Sequence, residues 1–310
     1  MQTKVIIREN SWRLEKFQTK TILVAENGHQ VIWKCPITEA ALPFINAIAD
    51  REKASREYLK GHFDVLCGDI EDGCLKYDYL PNKSLMQIIE MQFQQDSPSM
   101  ADKTIKAYVD KIKALQSIYT VPEEFYQIIG LDGAYDNTKL LCLCRGLLDL
   151  TPRNIFVSDS EWMVIDSEWS FDFPVPMIFV LFRAIREMAV MLQPEIRLAT
   201  NPSNPAHCLF ARGLNTYYVP ASWRAYLVGG EVGLNQMLRW EMGFQRYVSA
   251  SNCRSVGRIV RTPKTRTKFS ARACTRRRHL ATAAKKFLAG IPGLKAVFDS
   301  FEKRLFQKRI

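Results

Sequence analysis

The chain has 310 residues, 47% of them hydrophobic and 24% charged, which excludes a disordered or fibrous chain and allows two modest lobes with their own cores. Its net charge of +11 is unevenly spread: residues 251–310 hold 17 Lys/Arg against Asp299 and Glu302 alone, whereas the first 250 hold 26 Lys/Arg and 30 Asp/Glu. The expectation is a mildly acidic globular body with a basic tail that seeks phosphate, on nucleic acid or on an anionic membrane.

In chain order, Lys4–Arg8 is a possible first strand. Lys20–Glu26 and His29–Cys35 flank Asn27-Gly28, the strongest short hairpin signal, because both central residues need positive φ. Thr38 is the expected N-cap of a helix to about Lys60, with Pro43 in its first turns or ending a short leading turn. Phe63–Cys67 and Cys74–Leu80 read as strands around a turn at Asp72-Gly73. Ser84–Gln94 and Met100–Tyr119 read as helices parted by Ser97-Pro98-Ser99. In the second, Ile105, Tyr108, Val109, Ile112, Leu115 and Ile118 recur at three- and four-residue spacing and mark one buried face. Strands are expected at Lys139–Cys144, Ile155–Val157 and Trp162–Ile165, and helices at Ile178–Leu192 and Gly233–Ala250.

The eight cysteines form no CxxC pair and the four histidines are scattered, so metal-ligand spacing is missing; the cysteines read as buried, reduced thiols of a cytosolic protein. Met1-Gln2-Thr3-Lys4 opens no apolar h-region, so no signal peptide is expected. The longest apolar run, Val175 to Ile185, is interrupted by Arg183 and too short to span a bilayer. Residues 251–278 read as a basic linker. Within 279–310, Phe287, Ile291, Leu294, Phe298, Phe301 and Leu305 form a one-sided apolar stripe among Lys and Arg, with Pro292-Gly293 splitting it. Such a stripe fits an interfacial membrane anchor on the inner face of the plasma membrane, or a partner-helix contact. Nucleic acid ranks third, since the body shows no reader motif.

The segment that carries chemistry is Leu148-Asp149-Leu150-Thr151-Pro152-Arg153-Asn154-Ile155-Phe156-Val157, followed by Trp162-Met163-Val164-Ile165-Asp166. An Asp and an Asn lie five apart in a Pro-containing loop, and two short strands then deliver a second Asp. Phosphoryl transfer needs cations held against phosphate and a carboxylate to orient the attacking hydroxyl. Mg²⁺ takes hard oxygen ligands from one or two residues and completes its shell with phosphate and water. Asn154 and Asp166 can supply those oxygens, and Asp149 can accept the hydroxyl proton. Trp162, Trp169, Phe171 and Phe173 read as core packing.

The order Asp-Leu-x-Pro-x-Asn, strand, turn, strand, Asp resembles the catalytic and metal-binding loops of the protein-kinase-like superfamily, closest to its aminoglycoside and small-molecule phosphotransferase branch. Val164-Ile165-Asp166-Ser167-Glu168-Trp169, with Pro174-Val175-Pro176 and Phe179-Val180-Leu181-Phe182-Arg183, is further similar to kinase-like domains attached to bacterial methyltransferases and glycosyltransferases of surface-polysaccharide synthesis. Some of those phosphorylate the terminal sugar of a growing O-antigen chain. The resemblance implies an α+β, bilobal fold. A small β-rich N-lobe with one helix would span 1–80 and a mainly helical C-lobe 81–250, ahead of the linker and tail. It also implies ATP and Mg²⁺, a glycan or glycolipid acceptor, and a cytoplasmic kinase or else an inactive scaffold docking polysaccharide enzymes at the membrane. Lys34, ending Val31-Ile32-Trp33-Lys34, has the context of the lysine that pairs with the α- and β-phosphates. Glu52 is the chosen helix carboxylate to hold it, with Glu39 and Glu57 as rivals. Tyr79 and Leu80, at the end of Tyr77–Leu80, would meet adenine, with Pro81-Asn82 at the crossover. Three departures stand out: Leu147 replaces the family His, Ser167-Glu168 replaces the Gly after the metal-binding Asp, and no Gly-rich loop lies near residues 8–20.

Overall fold

The computed structural model describes residues 3–249 apart from 27–28, 96, 131–139, 159–160, 200–207, 213–214, 228 and 231. The linker and tail expected at 251–310 therefore lie outside the described residues, as do Lys139 and the turn residues Asn27, Gly28, Asp159 and Ser160.

The N-terminal part is built on β1 (Thr3–Glu9), β2 (Thr19–Glu26) and β3 (His29–Pro36), then α1 (Leu42–Leu59), then β4 (Asp64–Val65), β5 (Asp69–Glu71) and β6 (Cys74–Asp78). Five of these strands form one antiparallel sheet in the order β1-β2-β3-β6-β5. Alternation along β6 puts Leu75 and Tyr77 into the core with Phe44, Ile45 and Ile48 of α1. Glu26 pairs with His29 across the Asn-Gly site, and Glu71 pairs with Cys74 across Asp72-Gly73, both of which hold positive φ. A short 3₁₀ turn at Glu39–Ala41 precedes α1, whose first turn holds Pro43. Thr38 does not cap with its side chain; its hydroxyl donates to the Glu15 carbonyl instead.

The rest is mainly helical: α2 (Leu85–Gln94), α3 (Pro98–Lys113), α4 (Glu123–Ile129), α5 (Met177–Met191), α6 (Gln193–Ala199), α7 (Arg224–Leu227) and α8 (Leu234–Val248). The mixed α+β class and its division into a β-rich part with one long helix and a helical part are as expected. Ser84 and Gln87 close a capping box at the start of α2. The stripe on α3 is buried from Ile105 to Ile112, but the helix stops at Lys113. Ser117 and Ile118 instead pair with Leu143 and Cys142, which leaves Ile118 exposed: ladder partners outcompeted the helical period. The expected strands near 63–67 and 139–144 shrink to Asp64–Val65 and Cys142–Leu143.

One hairpin ties the two parts together. The hairpin Ile155–Ser158 with Glu161–Val164 takes Lys83-Ser84 on one side and, in parallel, Asp64-Val65 on the other. The site is built at the root of this hairpin.

One expectation is corrected. Cys35 and Cys74 face each other across β3 and β6, with Cα atoms 4.4 Å apart, and are joined by a disulfide. Strand register, invisible in Cys spacing, brings residues 39 positions apart into contact. Cys67, Cys142 and Cys144 are free thiols.

Candidate active site

The loop before the hairpin is locked by its own backbone. Thr151 N–H donates to the Asp149 carbonyl (2.7 Å), Asn154 N–H to the Thr151 carbonyl (2.9 Å), and the Asn154 Nδ2 amide to the Asp149 carbonyl (3.0 Å). Pro152 starts a single 3₁₀ turn that ends at Asn154, a use for which its fixed φ is suited. Buried Tyr108 of α3 props the loop from beneath, donating its hydroxyl to the Leu150 carbonyl at 2.6 Å. The amide donation by Asn154 leaves its Oδ1, the atom a cation would use.

The hairpin returns the chain to the same place. Ile155 pairs with Val164, and Ile165 N–H donates to the Asn154 carbonyl at 2.8 Å. Asp166 follows at once with φ +60°, a left-handed conformation that a non-glycine residue adopts only when its surroundings hold it. Trp169 N–H then donates to Asp149 Oδ2 at 3.0 Å. Asp149, Asn154 and Asp166 thus sit at the root of one hairpin. Burial pushes the Asp149 carboxyl up from its ordinary range, and the neighbouring Asp166 charge adds to this, against a smaller pull from Arg183.

Lys34 reaches this cluster from β3. Its Nζ is buried, ion-paired with Asp166 Oδ1 and with Glu168 Oε1 (3.0 Å). Glu168 is itself buried and takes Arg13 Nη2 on its other oxygen at 2.7 Å. Burial alone would raise the Glu168 carboxyl, but Lys34 and Arg13 outweigh it and hold the group well below the usual carboxylate range. Desolvation likewise opposes the Lys34 charge, and Asp166 and Glu168 overcome it, so that this lysine stays charged.

Glu52 is placed differently from the expectation. It is fully buried on α1, but its carboxylate accepts from Gly68 N–H (2.9 Å) and the Tyr77 hydroxyl (2.8 Å). The carboxylates in ion-pair contact with Lys34 are Asp166 and Glu168. Chain distance along α1 could not foresee that Glu168, two residues past Asp166, would fill that position first. Glu52 is pushed up to about 7, chiefly by burial, against the hydrogen bonds and the nearby Lys34 charge. Tyr79 and Leu80 lie just past β6, where Tyr79 N–H donates to the Gln30 carbonyl (3.2 Å) and its ring is exposed.

Sequence reasoning missed Arg8, Arg13 and the role of Glu168. Arg13 sits in the β1–β2 connector, where a glycine-rich loop was sought. That connector is pinned: Leu14 N–H donates to the Val248 carbonyl (2.9 Å), Ser249 Oγ to the Trp12 carbonyl (3.3 Å), and Phe17 packs edge-on against Trp169. The one available signal was Glu168 itself, an acid directly before the large apolar Trp169, where burial demands a partner.

No protein-family model matches this chain, and no curated protein matches it significantly in sequence. Solved structures align with it over most of its length. A thermostable mutant of an aminoglycoside phosphotransferase aligns at a TM-score of 0.42 and 9% identity, over 78% of this chain and 87% of that one. A macrolide 2'-phosphotransferase from Brachybacterium faecium aligns at 0.39 and 10%, over 84% and 93%. A choline kinase from Streptococcus pneumoniae aligns at 0.36 and 16%, over 76% and 85%.

Proposed function

We propose that this protein is an ATP- and Mg²⁺-dependent phosphotransferase acting on a hydroxyl of a non-protein acceptor, a sugar of a surface glycan. What supports the reading is the convergence of Asp149, Asn154 and Asp166 at the hairpin root, facing a charged, buried Lys34. The glycan rests on the sequence resemblance alone.

Asn154 Oδ1 and the Asp166 carboxylate form a hard-oxygen donor pair of the kind Mg²⁺ accepts, with phosphate and water completing the shell. The ion, when bound, would neutralise charge on the phosphates of ATP. Lys34 is kept cationic by Glu168 and so can hold phosphate oxygens while Asp166 turns to the metal. Asp149 accepts the acceptor's hydroxyl proton, and its raised affinity for protons suits a base working near neutral pH. The acceptor oxygen bonds to the γ-phosphorus as the bond to the bridging oxygen breaks, and ADP leaves.

The rival is an inactive scaffold, favoured by the ties of Asp166 to Lys34 and Arg8. Thermal unfolding with millimolar ATP and Mg²⁺ separates them: a ligand of the native state raises Tm, by about 2.7 kcal/mol of added stability at a hundred times Kd. Asp166→Asn should abolish Mg²⁺-dependent turnover of ATP while the protein stays folded. No Tm shift in the wild-type protein, or wild-type turnover in the variant, refutes the assignment.

A further inference from the structure

The chain's first glycine is Gly28, and the connector between β1 and β2 is fastened to Glu168 and to the end of α8. A mobile cradle of backbone amides over the phosphates is therefore not available from this connector. A side chain stands where such a loop would act. β1 pairs with β2 in regular register as far as Ile6↔Ile22, then slips by one residue, so that Arg8 faces Thr21. Thr21 in turn faces Lys34. Without the slip Arg8 would face Lys20, with its side chain on the opposite face of the sheet, because facing residues share a side and the side alternates along the strand. The bulge at Ile7 re-aims Arg8 into the row of Lys34, toward the site.

The two cations of that row are held unequally. Lys34 is 7% exposed and clamped by two carboxylates. Arg8 is 42% exposed, with Nη1 3.5 Å from Asp166 Oδ2 and Nε donating to Asn10 Oδ1 at 3.2 Å. A contact that long and that exposed to water is weak and easily exchanged. A metal at Asp166 would compete with both cations for its two oxygens, and the looser one, Arg8, is the one it would displace. A guanidinium freed there presents a planar fork that matches phosphate oxygens in pairs.

We infer that Arg8, aimed by the β1 bulge, is the phosphate-gripping side chain of this protein and stands in for a glycine-rich loop. The inference rests on the phosphotransferase reading and names a residue of the same site. Binding of Mg·ATP, Mg·ADP and adenosine to the full chain and to Arg8→Gln, followed by calorimetry, tests it. Loss of a charge-assisted phosphate contact should weaken Mg·ATP about 10- to 100-fold. Adenosine binding should be unchanged, and Arg8→Lys should recover only part of the loss because it keeps the charge without the fork. Tm should stay near the wild-type value, since the pair with Asp166 is half-exposed. Equal or tighter Mg·ATP binding in Arg8→Gln overturns the inference alone; tighter binding would make Arg8 a blocker of Asp166. A wild-type protein that binds no nucleotide refutes the phosphotransferase reading, and the inference with it.

Discussion

Replacing Glu168 by Gln tests the ion network on which the site depends. The carboxylate joins Arg13 at 2.7 Å and Lys34 at 3.0 Å, and all three side chains are 7% exposed or less. Gln keeps one acceptor oxygen, so one of the two cations must face an amide N–H₂. Lys34 retains Asp166, and Arg13 is the group left uncompensated. Arg13 keeps the Trp169 ring, 5.4 Å from its guanidinium carbon, and a long contact to the Phe17 carbonyl. Breaking a buried pair from one side costs about 3–5 kcal/mol, and the residual contacts put this case near 3. At about 2–4 °C per kcal/mol for a body of this size, Tm should fall by roughly 6–12 °C at pH 7. The pH dependence follows from the depressed carboxyl. Glu168 contributes stability above its unfolded value of about 4.3 and loses it as pH falls toward its lower folded value. The gap between variant and wild type should therefore hold from pH 7 to about 5 and narrow below about 4.3. Scanning calorimetry across that range reads both. A Tm within about 2 °C of wild type at pH 7, or a gap that widens in acid, refutes the reasoning.

Asp149→Asn should slow phosphoryl transfer by roughly 10²–10⁴-fold in single-turnover assays while leaving nucleotide affinity nearly unchanged. Because the Asp149 carboxyl is raised, the acid limb of the wild-type rate profile should lie above the ordinary aspartate value of about 3.9. Ionised Asp149 costs stability, so the same variant should unfold no earlier than wild type at pH 8. Glu52→Ala orphans two buried donors, Gly68 N–H and the Tyr77 hydroxyl, and should cost about 2–6 kcal/mol in urea unfolding. Glu52 is raised to about 7, so the stability its neutral form contributes is present below about 4.5 and is lost as pH rises through 7. Glu52→Gln should accordingly be milder near neutral pH. A Cβ at Gly243 would lie 1.6 Å from the Ile129 carbonyl oxygen, so Gly243→Ala must push α8 off α4. A loss of about 3 kcal/mol or more is expected by the same measurement.

Local chemistry was legible along the chain. Asp-Gly and Asn-Gly marked two hairpins because few residue pairs tolerate positive φ. Ser84 announced the start of α2, and the spacing of Asp149, Asn154 and Asp166 announced a loop, a hairpin and a second loop that converge. Each of these signals lies within about twenty residues, where backbone preference and strand pairing act directly. The partners of the charged groups were decided elsewhere. Lys34 is set 132 residues from Asp166 and 134 from Glu168, and nothing along α1 says that Glu52 will be engaged by Gly68 and Tyr77 first. The Cys35–Cys74 bond depends on register between β3 and β6. The aim of Arg8 depends on one extra residue in β1. A buried charge takes whichever opposite charge the packed chain brings within reach. A one-residue slip moves a side chain to the other face of a sheet, so these features are properties of the tertiary structure.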